Sequence, residues 1–222
     1  MSEDYSVCFE IAGPAAMFTR PDTGSTPISY PVPTCSAAKG MFDAVLWRPH
    51  DVYIRPTRVE ICGPVRFERY VTNYGGPLRS SRQIDGNNNY QLVATILVDV
   101  CYCIYGEVRP KWSTRGRSRP GVLRSPGRNA LARAAEFKHL FDERLKNRQT
   151  FYAPCLGWRE FVPTYFGAVR SQRDCSVNIT IPSLLHSMWE HRQLKPDFRQ
   201  DWEIVNGIMS YEHRIPLEVC NA

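Results

Sequence analysis

Two adjacent side chains in this 222-residue chain could carry out proton chemistry on a polyanion: Lys138 and His139, within the stretch GRNALARAAEFKHLFDERLKNRQTFYAPCLGWREF that runs from Gly127 to Phe161. An imidazole exchanges protons near neutral pH, which suits it to general acid or base work. An ammonium beside it can offset negative charge that develops on a phosphorane. Together they suit RNA cleavage without a metal. In that reaction the 2′-hydroxyl attacks the neighbouring phosphate, one group takes its proton and another protonates the leaving 5′-oxygen. The products are a 2′,3′-cyclic phosphate and a 5′-hydroxyl. The same dipeptide is also common on solvated helix faces, so its surroundings decide its weight.

Those surroundings are cationic. Between Val108 and Ala135 stand Arg109, Lys111, Arg115, Arg117, Arg119, Arg124, Arg128 and Arg133, with no acidic residue among them. The chain's net charge is +6, from 28 basic and 22 acidic residues; without these eight it is 20 against 22, or −2. A near-neutral body with one positive strip attracts polyanions through phosphate contacts and counterion release, and arginine's fork bonds two phosphate oxygens at once. The plain alternative is a solvated loop, which Gly116, Pro120, Gly121, Pro126 and Gly127 also permit.

The element that positions the pair is a helix. Asn129 can cap it, and Leu131, Ala134, Phe137, Phe141 and Leu145 recur at spacings of three and four. At about 100° per residue, Lys138 falls on the edge of that apolar stripe and His139 on the opposite face. Upstream, YSVCFEIA (Tyr5 to Ala12) reads as a strand ended by Gly13-Pro14. The proline-rich segment after it can be neither helix nor central strand. Thr34 can cap a helix from about Ser36 to Trp47, with Ala37, Ala38, Met41, Val45 and Leu46 facing the core. Val52 to Phe67 reads as two strand-like pieces broken at Pro56 and Gly63-Pro64. Asn73 to Asn89 reads as an exposed hairpin or finger carrying Arg79 and Arg82. Leu92 to Val108, long, β-branched and apolar on both faces, predicts a central strand. Beyond Phe161, VPTYFGAV and VNITIPSLL suggest short strands, and MWEHRQLKPDFRQDWEIVNG mixes helix-like and loop-like pieces. This order fits an α+β sheet with helices on one face.

Composition is that of an ordinary globular protein, 43% apolar and 23% charged. No apolar run approaches the roughly 18 residues of a membrane helix, and MSEDYSV lacks a signal pattern. A cytoplasmic protein without a membrane partner is expected. Cys8, Cys35, Cys62, Cys101, Cys103, Cys155, Cys175 and Cys220 include no C-x-x-C pair, so buried free thiols are expected rather than a metal site.

Two separated motifs resemble one family. FTRPDTGSTPISYPVPTCSAAKGMFDAVLWRP is similar to the start of the CRISPR-associated RAMP proteins of the "Cas five" family, subtype d, of type I-C systems. KHLFDERLKNRQTFYAPCLGWREF is similar to that family's lysine-histidine segment and its L-G-x-R-E turn. The likeness covers most of residues 1 to 165. It implies a ferredoxin-like, RRM-type domain over 1–160 and a smaller β-rich part over 161–222. It further implies a metal-independent endoribonuclease that cuts precursor CRISPR RNA just below the repeat hairpin, or a non-catalytic scaffold holding the same RNA. The implied partners are the crRNA 5′ handle and the backbone and large subunits of the interference complex; no cofactor is implied. Lys138 and His139 match the family's catalytic pair. Its third catalytic position, an aromatic hydroxyl or histidine before W-x-P, is Leu46 here, which cannot move a proton. Tyr30, Tyr53 and His50 are the candidate substitutes. Arg20 and Lys39 lie in the first motif as candidate phosphate contacts, and Arg159 in the turn is a candidate RNA contact or a structural residue.

Overall fold

A computed structural model describes residues 5–47, 52–74, 90–110, 128–190 and 193–212. The elements are β1 (Ser6–Ala16), α1 (Cys35–Val45), β2 (Val52–Ile61), β3 (Arg66–Tyr74), β4 (Tyr90–Pro110), α2 (Arg128–Lys146), β5 (Tyr165–Gly167), β6 (Ile179–Glu190), β7 (Gln193–Ile204) and β8 (Ile208–Ser210). This is a sheet-dominated α+β architecture with two helices among the described residues. The main sheet runs β5-β1-β4-β2-β8, all neighbours antiparallel, and β3 pairs with the first part of β4. β6 and β7 form a separate hairpin.

β4 is the central strand, as its apolar run predicts. It is 21 residues long and pairs with β1, β2 and β3. It turns at Asp99, whose φ of 51° marks where the hairpin with β3 gives way to the core pairing. Tyr74 pairs with Tyr90, so the predicted finger is closed by a hairpin; its tip, with Arg79 and Arg82, lies outside the described residues.

Both helices lie on one face of this sheet. Phe9 on β1 meets Phe42 on α1 at 4.9 Å, and Phe42 meets Phe141 on α2 at 5.8 Å. Gly106 on β4 makes room for them, because a Cβ there would stand 2.7 Å from Ile54 and 2.8 Å from Phe42. Thr34 caps α1 by accepting the N–H of Ala37, as expected. The buried stripe includes Phe42 and Ala44 in addition to Ala38, Met41 and Val45.

Four local expectations change. β1 continues through Gly13-Pro14, because its β5 partner ends at Ala12 and a strand edge tolerates a residue without an N–H. β2 continues through Pro56, which is absorbed by a bulge before Arg58. α2 begins at Arg128, so Asn129 sits in its first turn. The helix-like tail is the β6–β7 hairpin, in which Trp202 is buried in the core cluster and donates its indole N–H to the Ser210 carbonyl at 2.8 Å.

The proline-rich segment after β1 is irregular but ordered by buried tyrosines. Tyr102 and Tyr211 donate to the carbonyls of Pro31 and Pro33 at 2.8 and 2.9 Å, acceptors that a proline run offers without competing donors. The described cysteines are free thiols. Only Cys103 is fully buried, and Cys175 is exposed, so burial was overestimated for most of them. Among the described residues no group of three or more histidine, cysteine or acidic side chains is arranged to hold a metal, and no helix is long and apolar enough to cross a membrane.

On the sheet face away from the helices, Glu10 is fully buried. Burial pushes its carboxyl upward, but the Arg170 and Ser171 N–H groups, the Arg170 guanidinium and the Ser171 hydroxyl, at 2.8 to 3.0 Å, outweigh burial and hold it below the usual glutamate value. A depressed folded value means the contribution is complete above the ordinary glutamate range and is lost as pH falls through the folded value. Glu10→Gln is therefore expected to cost about 2 kcal/mol at neutral pH and to flatten the loss of thermal stability on acidification below about pH 4. Melting curves of both proteins across that range check it.

Candidate nucleic-acid interface

α2 holds the lysine-histidine pair against the core with Ala134, Phe137 and Phe141, all buried, and the partly buried Leu140 and Leu145. The rest follows from helix geometry. Lys138 is half-buried at the rim of the apolar stripe and pairs with Asp142 one turn on at 2.8 Å. His139 is exposed on the outer face. The Lys138–Asp142 pair stands near the β1 edge. Burial, then Asp142, raise the thiol of Cys8 there, with Lys138 opposing them. Asp142 also lines a cleft of about 270 Å³ shared with Leu145, Lys146, Arg148, Tyr165, Gly167 and Ala168. Lys146 and Arg148 make no ion pair among the described residues, so that cleft is open to an anion.

Leu46 occupies the C-cap of α1. It is 6% exposed, and its N–H donates to the Phe42 carbonyl. Its neighbour Trp47 is 48% exposed. Two of the side chains considered in place of Leu46 stand apart from the exposed helix face that shows His139. Tyr30 is fully buried and its hydroxyl accepts the Leu185 N–H at 3.1 Å, so it belongs to the core. Tyr53 alternates with the buried Val52 and Ile54, which face the helices, so it projects from the reverse side of the sheet, away from α2. His50 lies outside the described residues.

The predicted cations divide in the same way. Arg20 forks onto Asp22 at 2.7 and 3.1 Å, and Lys39 pairs with Asp43 on α1. Arg109 pairs with Glu107 at 2.7 Å beside Tyr53, on the reverse side of the sheet. Each must exchange a carboxylate for any phosphate it binds. Arg133 is exposed on α2. Lys111, Arg115, Arg117, Arg119, Arg124 and the side chain of Arg128 lie outside the described residues.

The turn around Gly157 fastens the post-helix segment to the core. Leu156 is fully buried and exchanges backbone bonds with Met17 and Phe161. The Trp158 indole donates to Thr19 at 2.8 Å and stacks on Phe161, and the Tyr70 hydroxyl donates to Glu160 at 3.0 Å. Glu160 is thus engaged by Tyr70 rather than by Arg159. Arg159 is exposed, with no partner among the described residues.

Sequence reasoning passed over Trp47, Lys146, Arg148, Phe151 and Tyr152. Trp47 and Phe151 lie 5.8 Å apart and Phe151 and Tyr152 6.0 Å apart, with 46% to 58% of each residue exposed. The backbone N–H groups of Phe151 and Tyr152 both donate to the Ala44 carbonyl, and the Tyr152 hydroxyl donates to the Gly40 carbonyl at 2.9 Å. The two cations followed closely by two aromatics in KNRQTFY were the available signal.

The chain matches no family model. It is 26% identical over 223 residues to the CRISPR pre-crRNA endoribonuclease Cas5d of Mannheimia succiniciproducens, covering 90% of this chain and 91% of the relative. It is 30% identical over 168 residues to the protein of that name from Thermus thermophilus, covering 71% of this chain and 61% of the relative. The fold is similar to that of a CRISPR-associated protein (TM-score 0.67, 18% identity, 95% and 93% of the two chains). It is also similar to a functionally uncharacterized protein from Streptococcus mutans (TM-score 0.63, 18% identity, with the same shares covered). The lysine-histidine helix, the glycine turn and the sheet that carries them thus occur in a chain aligned over 90% of its length with one Cas5d protein and over 71% with another, and it belongs to the Cas5d family of CRISPR-associated proteins.

Proposed function

We propose that this protein is a metal-independent endoribonuclease that cuts precursor CRISPR RNA within the repeat and then stays on the 5′ handle as a subunit of the interference complex. The observation that carries this reading is the exposed His139 beside Lys138 on a helix pinned by Phe137 and Phe141, next to a cleft lined by Lys146 and Arg148. Two relatives named pre-crRNA endoribonucleases support it. A ferredoxin-like core is supported by the strand order β5-β1-β4-β2, with a helix between β1 and β2 and another between β4 and β5. The proposed division at residue 160 sets apart the β6–β7 hairpin, while β5 and β8 return to the main sheet.

In this mechanism the 2′-hydroxyl attacks phosphorus, the bond to the 5′-oxygen breaks, and His139 carries one of the two protons. Lys138 turns from Asp142 to the phosphorane oxygens. Leu46 supplies no second carrier, and neither Tyr30 nor Tyr53 replaces it. Since one positioned acid or base contributes about 10²–10⁴-fold, cleavage is expected to be slow. The test is single-turnover incubation with cognate repeat RNA in EDTA. A 5′ fragment ending in 2′,3′-cyclic phosphate is expected. Uncut repeat with folded protein would sink the enzyme reading.

The buried apolar side chain of Leu46 favours a second reading, a scaffold that grips the handle without cutting it. Repeat binding without product identifies that case. Membership of the complex, with its backbone and large subunits, is common to both readings.

A further inference from the structure

We propose that Trp47, Phe151 and Tyr152 form a stacking step for the unpaired nucleobases of the RNA, and that Lys146 and Arg148 hold the phosphates of the same single-stranded stretch. This rests on the RNA-processing reading and adds to it a path for the strand.

Three exposed rings in one contiguous array are costly to leave in water, and here they are held in place rather than tucked in. Phe151 and Tyr152 hang from one carbonyl, that of Ala44, and the Tyr152 hydroxyl ties the array to Gly40 on α1. Their fixed geometry means that little ordering entropy is lost when a flat ligand stacks on them. The charge beside them selects the ligand. Arg148, at φ +54°, and Lys146 precede the rings by only a few residues and face the cleft, without a carboxylate partner among the described residues. A strip of free cations next to a rigid aromatic step suits single-stranded nucleic acid, in which each nucleotide brings a phosphate and a flat face. The cleft also contains Asp142, the partner of Lys138, so a strand entering it passes the proposed reaction site.

The discriminating experiment compares two RNAs of equal length and charge: the cognate repeat, and the same repeat with two unpaired nucleotides beside the hairpin made abasic. Wild-type protein is expected to bind the abasic RNA about 10- to 100-fold more weakly, as the loss of stacked bases predicts. Trp47→Ala with Phe151→Leu, which keeps apolar volume at 151, is expected to bind the intact RNA as weakly as wild type binds the abasic one, and to lose nothing further on the abasic probe. Lys146→Gln with Arg148→Gln is expected to weaken both RNAs equally and to reduce the slope of log affinity against log salt by about 1.4.

Equal affinity of wild type for the two RNAs, within about twofold, would overturn the proposal while leaving RNA binding intact. Equal losses by the Trp47/Phe151 variant on both probes would also overturn it and reassign the rings to packing. Normal RNA binding by that variant, with failure to join the other complex subunits, would overturn it in favour of a protein-docking surface. Absence of any RNA binding by wild type would instead defeat the underlying reading.

Discussion

His139→Ala is expected to lower single-turnover cleavage of the cognate repeat by about 10²–10⁴-fold, the usual cost of removing a positioned acid or base, while salt-sensitive binding of the same RNA persists. The structural grounds are specific. His139 lies on the outer face of α2 and has no role in the core, whereas its helix neighbours Phe137 and Phe141 do the packing. Alanine there also has the higher helix propensity, so loss of activity cannot be traced to a weakened fold. Lys138 differs in kind. It is half-buried and already paired with Asp142, so Lys138→Ala removes a charge from the proposed reaction site and also leaves Asp142 uncompensated beside the cleft. Lys138→Arg is expected to recover binding better than rate, because the guanidinium keeps the charge but reaches differently. Rate and affinity measured separately on the three variants distinguish a chemical role from a grip on the phosphate. An alanine at 139 that cuts as fast as histidine would end the proposed mechanism and leave a handle-binding subunit.

Gly157→Ala is expected to be the most damaging single methyl in the described chain. Gly157 has a φ of +90°, outside the range that L side chains adopt comfortably, and an added Cβ would stand 1.9 Å from the Met17 carbonyl oxygen and 2.5 Å from its carbon. That carbonyl belongs to backbone, which cannot rotate aside, and Met17 is itself bonded to Leu156. Relief requires the whole turn to move, and with it Trp158 on Thr19 and Glu160 on Tyr70. A cost of at least about 3 kcal/mol follows from the backbone conformation and the clash together. For a chain of this size that is a fall in melting temperature of roughly 6–12 °C. A thermal unfolding curve checks it; a shift below about 2 °C would mean that the segment joining α2 to β5 is not locked to the core as described. The effect on RNA binding should follow stability, because Gly157 acts through the fold of the turn.

The two predictions draw on different kinds of information. From the amino-acid order alone came the amphipathic stripe of α2, and with it the outward position of His139 and the rim position of Lys138. Both follow from a 3.6-residue repeat that is local. The central place of β4 and the cap at Thr34 were legible for the same reason: a long β-branched run and a hydroxyl before a helix act through their immediate neighbours. Strand ends at proline were less legible, since Pro14 and Pro56 are tolerated only because of where β5 stops and where a bulge falls. The fate of Tyr30 and Tyr53 was not legible at all. A tyrosine's usefulness as a proton carrier depends on which side of the sheet it faces and whether its hydroxyl is already bonded, and both are set by strands distant in sequence. The site residues passed over have the same origin. Trp47 and Phe151 are about a hundred positions apart and meet only because the chain after α2 hangs from the last turn of α1. Sequence therefore determined which side chains could do chemistry and which face of a helix shows them. Tertiary structure decided which of them stand together, because burial, hydrogen bonding and the approach of remote segments are properties of the packed chain rather than of any stretch of it.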